Sequence, residues 1–336
     1  MNMIKPIAIF SFLLLFLSCN PTEKRVIDKE IMASLGSKHR EGFKEWTRGF
    51  EKLADQDSSN VVAQVGIAEG NVILYIFGFM PREETLPQAR VAFSKAWELD
   101  SMNSEVLRIK GMLAFLDWDW ETSGAALTKS IAADSSNLQA RHWYALWLTA
   151  MDRFDEAMAQ SDIIMSMDTD DNHLVGRASF LYFQYRFEEM IPLMEKAIAA
   201  DPNMPWAYDW LGMAYNGLGQ HEKAIETYFK AFELSDGTVE VGGGLGHALG
   251  DAGEMALAKE MADYYIEASK SAYLPPVQRA FVHIGMDDFE KALELLEQAH
   301  SEKSWFLAFI QVEHWYDPLR DDSRFTAIME RMNYPG

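Results

Sequence analysis

Cysteine is almost absent: Cys19 is the only one in 336 residues, so no intramolecular disulfide can form. Basic side chains are scarce too, with 30 Lys and Arg against 51 Asp and Glu and a formal charge of −21. Phosphate contacts need clustered Lys and Arg, so a general nucleic-acid surface is excluded, although a small local basic patch is not. Eleven prolines and 21 glycines are too few for a disordered or fibrous chain. No apolar run reaches the roughly 20 residues of a membrane-spanning helix. The longest candidates are residues 7–17, broken only by Ser11, and residues 71–80, which read as buried helix. What the chain does have is aromatic mass, 20 Phe, 12 Tyr and 10 Trp, which suits packed helices.

The amino end is a separate object. Lys5 precedes the apolar run of residues 7–17, which has the length of a signal-peptide core. Phe16-Leu17-Ser18-Cys19 follows and resembles a bacterial lipobox, with Phe16 a looser fit than Leu. The resemblance implies a signal peptide over residues 1–18, lipidation of Cys19 and a polar tether over residues 19–27. The bilayer would then be one partner, and the protein would sit lipid-anchored at the cell membrane or outer membrane, facing the periplasm or the exterior.

Residues 28–60 read as an amino-terminal helical segment, with a break near Gly36. Asp57-Ser58-Ser59-Asn60 is a turn cluster suited to capping a helix over residues 61–77, and residues 80–86, containing Pro81, read as an extended loop. From there the chain is periodic. Helices ending at Leu99, Ala133, Met167, Ala200 and Leu234 are followed by Asp100, Asp134, Asp168, Asp201 and Ser235, at intervals of 34, 34, 33 and 34. That is the length of a tetratricopeptide repeat, two antiparallel helices and their turns. Residues 206–235 resemble the repeat most closely, with Tyr208, Leu211, Gly212 and Tyr215 on the first helix, Gly219 at the turn, and Ala224, Tyr228 and Ala231 on the second. The expected fold is all-α, a right-handed α–α superhelix of about seven hairpins over residues 61–300, with a helical cap over residues 301–336. Gly242-Gly243-Gly244 weakens one helix, and a close helix crossing explains it better than a bend or a partner contact.

Several passages are similar to the carboxy-terminal repeat domains of bacterial signalling proteins, in which repeats follow an adenylate-cyclase, kinase or winged-helix domain, often with a TolB-like segment between. They are Leu116-Asp117-Trp118-Asp119-Trp120-Glu121, Arg141-His142-Trp143-Tyr144-Ala145, Phe154-Asp155-Glu156-Ala157, and the ending Trp315-Tyr316-Asp317-Pro318-Leu319-Arg320-Asp321-Asp322-Ser323-Arg324-Phe325. About 20 residues separate Cys19 from the start of the likeness, too few for any of those domains. The resemblance therefore implies a repeat scaffold and an interaction role, without their catalysis or DNA binding.

Catalytic and metal signatures are lacking. There is no Gly-x-Ser-x-Gly elbow and no His-Glu-x-x-His motif, and the eight histidines are scattered. Asp168, Asp170 and Asp171 lack a calcium loop's glycine and closing Glu and read as helix-capping residues. Asp117, Asp119 and Glu121 beside Trp118 and Trp120 are poorly oriented for sugar chemistry. No cofactor, metal or catalytic residue is expected. The working surface of such an array is its concave face, lined by first helices. The register nominates Arg108, His142, Tyr182, Trp206, Asp209, Met213 and Asn216 as a groove for a peptide or envelope protein. A small-molecule or glycan receptor with Trp118, Trp120 or Trp206 as stacking platforms is the alternative, an enzyme of another kind ranks lower, and homo-oligomerisation stays open.

Overall fold

The computed structural model describes residues 37–167 and 172–335. The signal peptide, Cys19, the tether, and Asp168, Asp170 and Asp171 lie outside the described residues. Within them the chain is helical throughout. Helix α1 (Ser37–Gln56) precedes seven hairpins: α2 (Val61–Ile76) with α3 (Arg82–Leu99), α4 (Ser104–Leu116) with α5 (Trp120–Ala133), and α6 (Leu138–Ala150) with α7 (Phe154–Met167). Then come α8 (Asn172–Tyr182) with α9 (Phe187–Ala200), α10 (Pro205–Gly217) with α11 (His221–Leu234), α12 (Val239–Asp251) with α13 (Met255–Ala268), and α14 (Pro276–Gly285) with α15 (Phe289–Ser301). Two short 3-10 helices, Trp305–Phe309 and His314–Leu319, lead to α16 (Ser323–Arg331). The total exceeds seven hairpins by α1 and α16, and the architecture is a tetratricopeptide-type solenoid.

Local chemistry fixes the hairpin boundaries. Asn60, Asn103 and Asn137 stand just before α2, α4 and α6, and their side chains accept the backbone N–H of Ala63, Glu105 and Ala140. Each such cap contributes about 1 kcal/mol. Within hairpins, all seven turns carry one residue in the left-handed region: Gly78, Trp118, Asp152, Tyr185, Gly219, Gly253 and Asp287. In each, that residue's N–H returns to the carbonyl three back and the next N–H to the carbonyl five back, a Schellman closure. The 34-residue period is therefore written in the backbone as well as in the side chains. Small residues on the second helices, Ala89, Ala96, Ala224, Ala231, Ala292 and Ala299, are all essentially inaccessible and let neighbouring helices approach.

The glycine triplet in α12 is a close crossing, as expected. A Cβ on Gly243 would lie 2.8 Å from the Gln278 carbonyl oxygen, and one on Gly244 2.7 Å from the Tyr228 ring. Gly250 likewise leaves room for the Gly285 backbone and Gly285 for that of His247, so α12 packs more intimately on α14 than on its hairpin partner α13. One loop is corrected. Residues 80–86 are not extended: α3 begins at Arg82, because Pro81 suits the position before a helix and Glu83 and Glu84 favour its amino end.

The solenoid closes on itself. Tyr75 Oη donates to the Lys303 carbonyl (2.7 Å), Lys38 pairs with Asp236 (3.0 Å), and Phe77 meets Trp206 at 5.1 Å between centroids. Inside this curve runs the carboxy-terminal segment. Trp305 touches Phe115 and Trp143, Phe309 stacks on Phe183 (5.1 Å), Glu313 accepts from Tyr182 Oη (2.7 Å), and Trp315 stacks on His247 (4.3 Å) and meets Phe281. One short segment can reach α4, α6, α8, α12 and α14 only if those helices curve around it. Farther on, Trp120 Nε1 donates to the Met332 carbonyl and its ring stacks on Tyr334.

Candidate functional site

The open concave groove expected from the repeat register is filled by the chain's own carboxy-terminal segment, and the nominated residues must be corrected accordingly. Arg108 is 2% exposed and binds Glu69 (2.8 and 3.1 Å) and Glu105 (2.7 Å). Burial works against its charge, but the Glu69 and Glu105 carboxylates outweigh it, so Arg108 is an internal strut. Tyr182 is buried under His314 and hydrogen-bonded to Glu313. Asn216 is buried and donates to Asp251 (2.9 Å), while its Oδ1 contacts His221 Nδ1. Asp209 is 3% exposed, and its Oδ1 has no hydrogen-bond partner. Burial pushes its carboxyl up to about 7.

His142, Trp206 and Met213 remain half-buried. His142 lies beside Phe180, and burial, aided by His173, pushes its imidazole down to about 4. Trp206 leans on Phe77 and His39. The seven residues thus do not converge on one accessible surface. Nor do the tryptophans offered as glycan platforms: Trp120 is sandwiched into the core, and Trp118 lies against His300 and Lys303. The nearby carboxylates have structural work, Asp117 pairing with Arg82 and Arg90 and Asp119 capping α5. Among the described residues, no group of three or more His, Cys, Asp and Glu could hold a metal, and no helix is long and apolar enough to cross a membrane.

Among the described residues, two concave features bear on partner or ligand binding. The first is an outer groove of about 570 Å³ between α1 and α3, floored by α2. Ala54, Ile67, Val91 and Ala92 supply apolar surface, with Glu51 and Asp55 on the α1 rim and Lys95 on the α3 rim. Of the ten exposed large apolar side chains among the described residues, six (Trp46, Leu53, Val62, Val91, Leu99 and Met102) fall on this first part of the array.

The second is a cavity of about 490 Å³ at the seam where the solenoid closes. Its walls are Arg40 and Lys44 of α1, the α2–α3 turn, the start of α12, and residues 269–273 between α13 and α14. Gly78 makes this junction. It closes α2 with φ +66°, and a Cβ there would stand 2.6 Å from the Pro275 ring, so the two loops meet only because the residue is glycine. No local sequence signal marks this cavity, since its parts come from segments roughly 200 residues apart.

Comparison with known proteins agrees with this geometry. A family model described as Tetratricopeptide repeat matches residues 193–226. No curated protein matches the sequence. Among solved structures, the chain is similar to the APC/C hetero-tetramer Cut9–Hcn1, with a TM-score of 0.60 at 12% identity over 87% of this chain, which spans 52% of that one. It is also similar to a tetratricopeptide repeat protein from Parabacteroides merdae (TM-score 0.47, 11% identity, 90% and 98% covered) and to yeast Tom70 (0.48, 18%, 88% and 63%). The likeness to Cut9–Hcn1 supports the fold.

Proposed function

We propose that this tetratricopeptide-type solenoid is a non-catalytic protein-interaction scaffold of the bacterial cell envelope, tethered through Cys19, that receives its partner in the outer groove between α1 and α3. The fold is typically that of a scaffold, and Cut9–Hcn1 is itself a hetero-tetramer, which supports the general role. The likeness of the ending to the repeat domains of signalling proteins supports it too. The lipobox-like Phe16-Leu17-Ser18-Cys19 motivates the envelope setting.

One observation carries the choice of surface. The inner face is occupied by Trp305, Phe309 and Trp315 of the same chain, whereas the α1–α3 groove is open and lined by Ala54 and exposed Val91. Burying one such aromatic or aliphatic side chain is worth about 1.5–3 kcal/mol, so displacing the segment would cost a partner far more than using the outside. An amphipathic helix fits the groove, its apolar stripe on Ile67 and Val91 and basic residues facing Glu51 and Asp55.

Crosslinking capture from native envelopes, comparing the intact chain with an Ala54→Asp, Val91→Asp double variant of unchanged helicity, tests the surface. Loss of specific partners in the variant is expected, and an unchanged partner set would move binding elsewhere. Cys19→Ser should release the protein from the membrane fraction; if it stays bound, the lipid-anchor reading fails.

A further inference from the structure

We propose that the seam cavity is a binding site for a small organic anion with a flat apolar body. The inference is independent of the partner groove, which lies on other surfaces. In a chain with 51 acidic and 30 basic residues, the charged groups lining this cavity are three cations, Arg40, Lys44 and Lys270, against one carboxylate, Glu84. Glu84 sits in the first turn of α3, where the helix end already favours a negative charge.

The cations are incompletely satisfied from within. Arg40 Nε is shielded from solvent and has no hydrogen-bond partner, its nearest carboxylate oxygen being Glu41 Oε1 at 3.8 Å. Lys44 reaches that same carboxylate at 3.2 Å, so one Glu41 serves two cations. Lys270 pairs only with exposed Glu267, and an exposed pair of that kind contributes little. A guanidinium and two ammonium groups around a void of about 490 Å³ make a receptor for a carboxylate, sulfonate or phosphate.

The remaining wall selects the body of the ligand. Phe77 and Phe79 are near-parallel (23°) at 6.1 Å, backed by Phe43, and Met80 and Ala272 continue the apolar lining. The volume lies in the range of small-molecule pockets, and outside this apolar patch Ser269, Ser271 and the charged groups make the wall mainly polar. Both ends of the solenoid contribute, so an occupant would also clamp the seam shut.

The test uses the full chain and 1-anilinonaphthalene-8-sulfonate as the probe, followed by its fluorescence. A single saturable site is expected. It should weaken about tenfold or more in Arg40→Ala, Lys44→Ala, and by roughly threefold in Lys270→Ala, whose exposed position cannot affect folding. Binding should fall with added sodium chloride, and the uncharged analogue 1-anilinonaphthalene should bind weakly and equally to all three proteins. Saturation without loss in either variant, or equal binding of the charged and uncharged probes, overturns the proposal.

Discussion

Asp209, nominated from the repeat register as a groove residue, is buried. Its place on a first helix pointed to an accessible inner face, but the carboxyl is buried without a partner for Oδ1. Its folded pKa, about 7, stands above the ordinary value of 3.8. A raised acid contributes its full stability below about pH 4, loses it as pH rises towards 7, and is then a constant penalty of about 4 kcal/mol. Glu240, also raised by burial and by Asp209, acts with the same sign. His142, lowered from 6.5 to about 4, acts oppositely, losing stability as pH falls through that interval. Difference measurement separates them: Asp209→Asn should flatten the decline in denaturation free energy between pH 4 and 7 relative to the parent. Parallel profiles for the two proteins would mean that Asp209 is not buried as described.

At the scale of elements, the turns and crossings make separable demands on glycine. Gly253 closes α12 with φ +78° and has nothing within 4 Å of a would-be Cβ, so Gly253→Ala should cost only the left-handed penalty, about 1–2 kcal/mol. Gly243→Ala adds a clash with the Gln278 backbone, which cannot move without shifting α14, and should cost more than about 2 kcal/mol. Urea denaturation of both variants checks the order; a reversed order would contradict the α12–α14 crossing. These elements were the legible part of the molecule. The ends at Leu99, Ala133, Met167, Ala200 and Leu234 fall where the 34-residue period put them, because each is set by a local hand-over from apolar helix to capping turn. Pro81 misled because a proline reads as a loop, yet it serves equally well just before a helix.

At the scale of the whole molecule, legibility ends where sequence separation becomes large. Tyr182 meets Glu313 across 131 positions and Trp120 meets Met332 across 212, and no periodic pattern encodes such pairs. The ending read as a helical cap, and there Asp322 accepts the Arg324 N–H at the start of α16 while Phe325 and Ile328 are buried. What local reasoning could not supply is that the segment before it crosses the inner face and uses up the groove. Removing residues 305–336 should therefore expose Phe115, Trp143, Tyr182 and Phe183 together, with loss of cooperative unfolding and a drop in melting temperature of more than about 10 °C, readable by calorimetry. Survival of a sharp transition near the parent temperature would show that the array stands without its filling.

The central claim, that the inner face belongs to the chain itself and recognition is moved outside, is tested most directly by native-state hydrogen exchange of the intact protein. The account predicts that amides of residues 305–319 are protected to nearly the same degree as those of α4 and α8, opening only with global unfolding. Exchange of residues 305–319 as fast as exposed loops, with α4 and α8 still protected, would contradict it and return the groove to a partner.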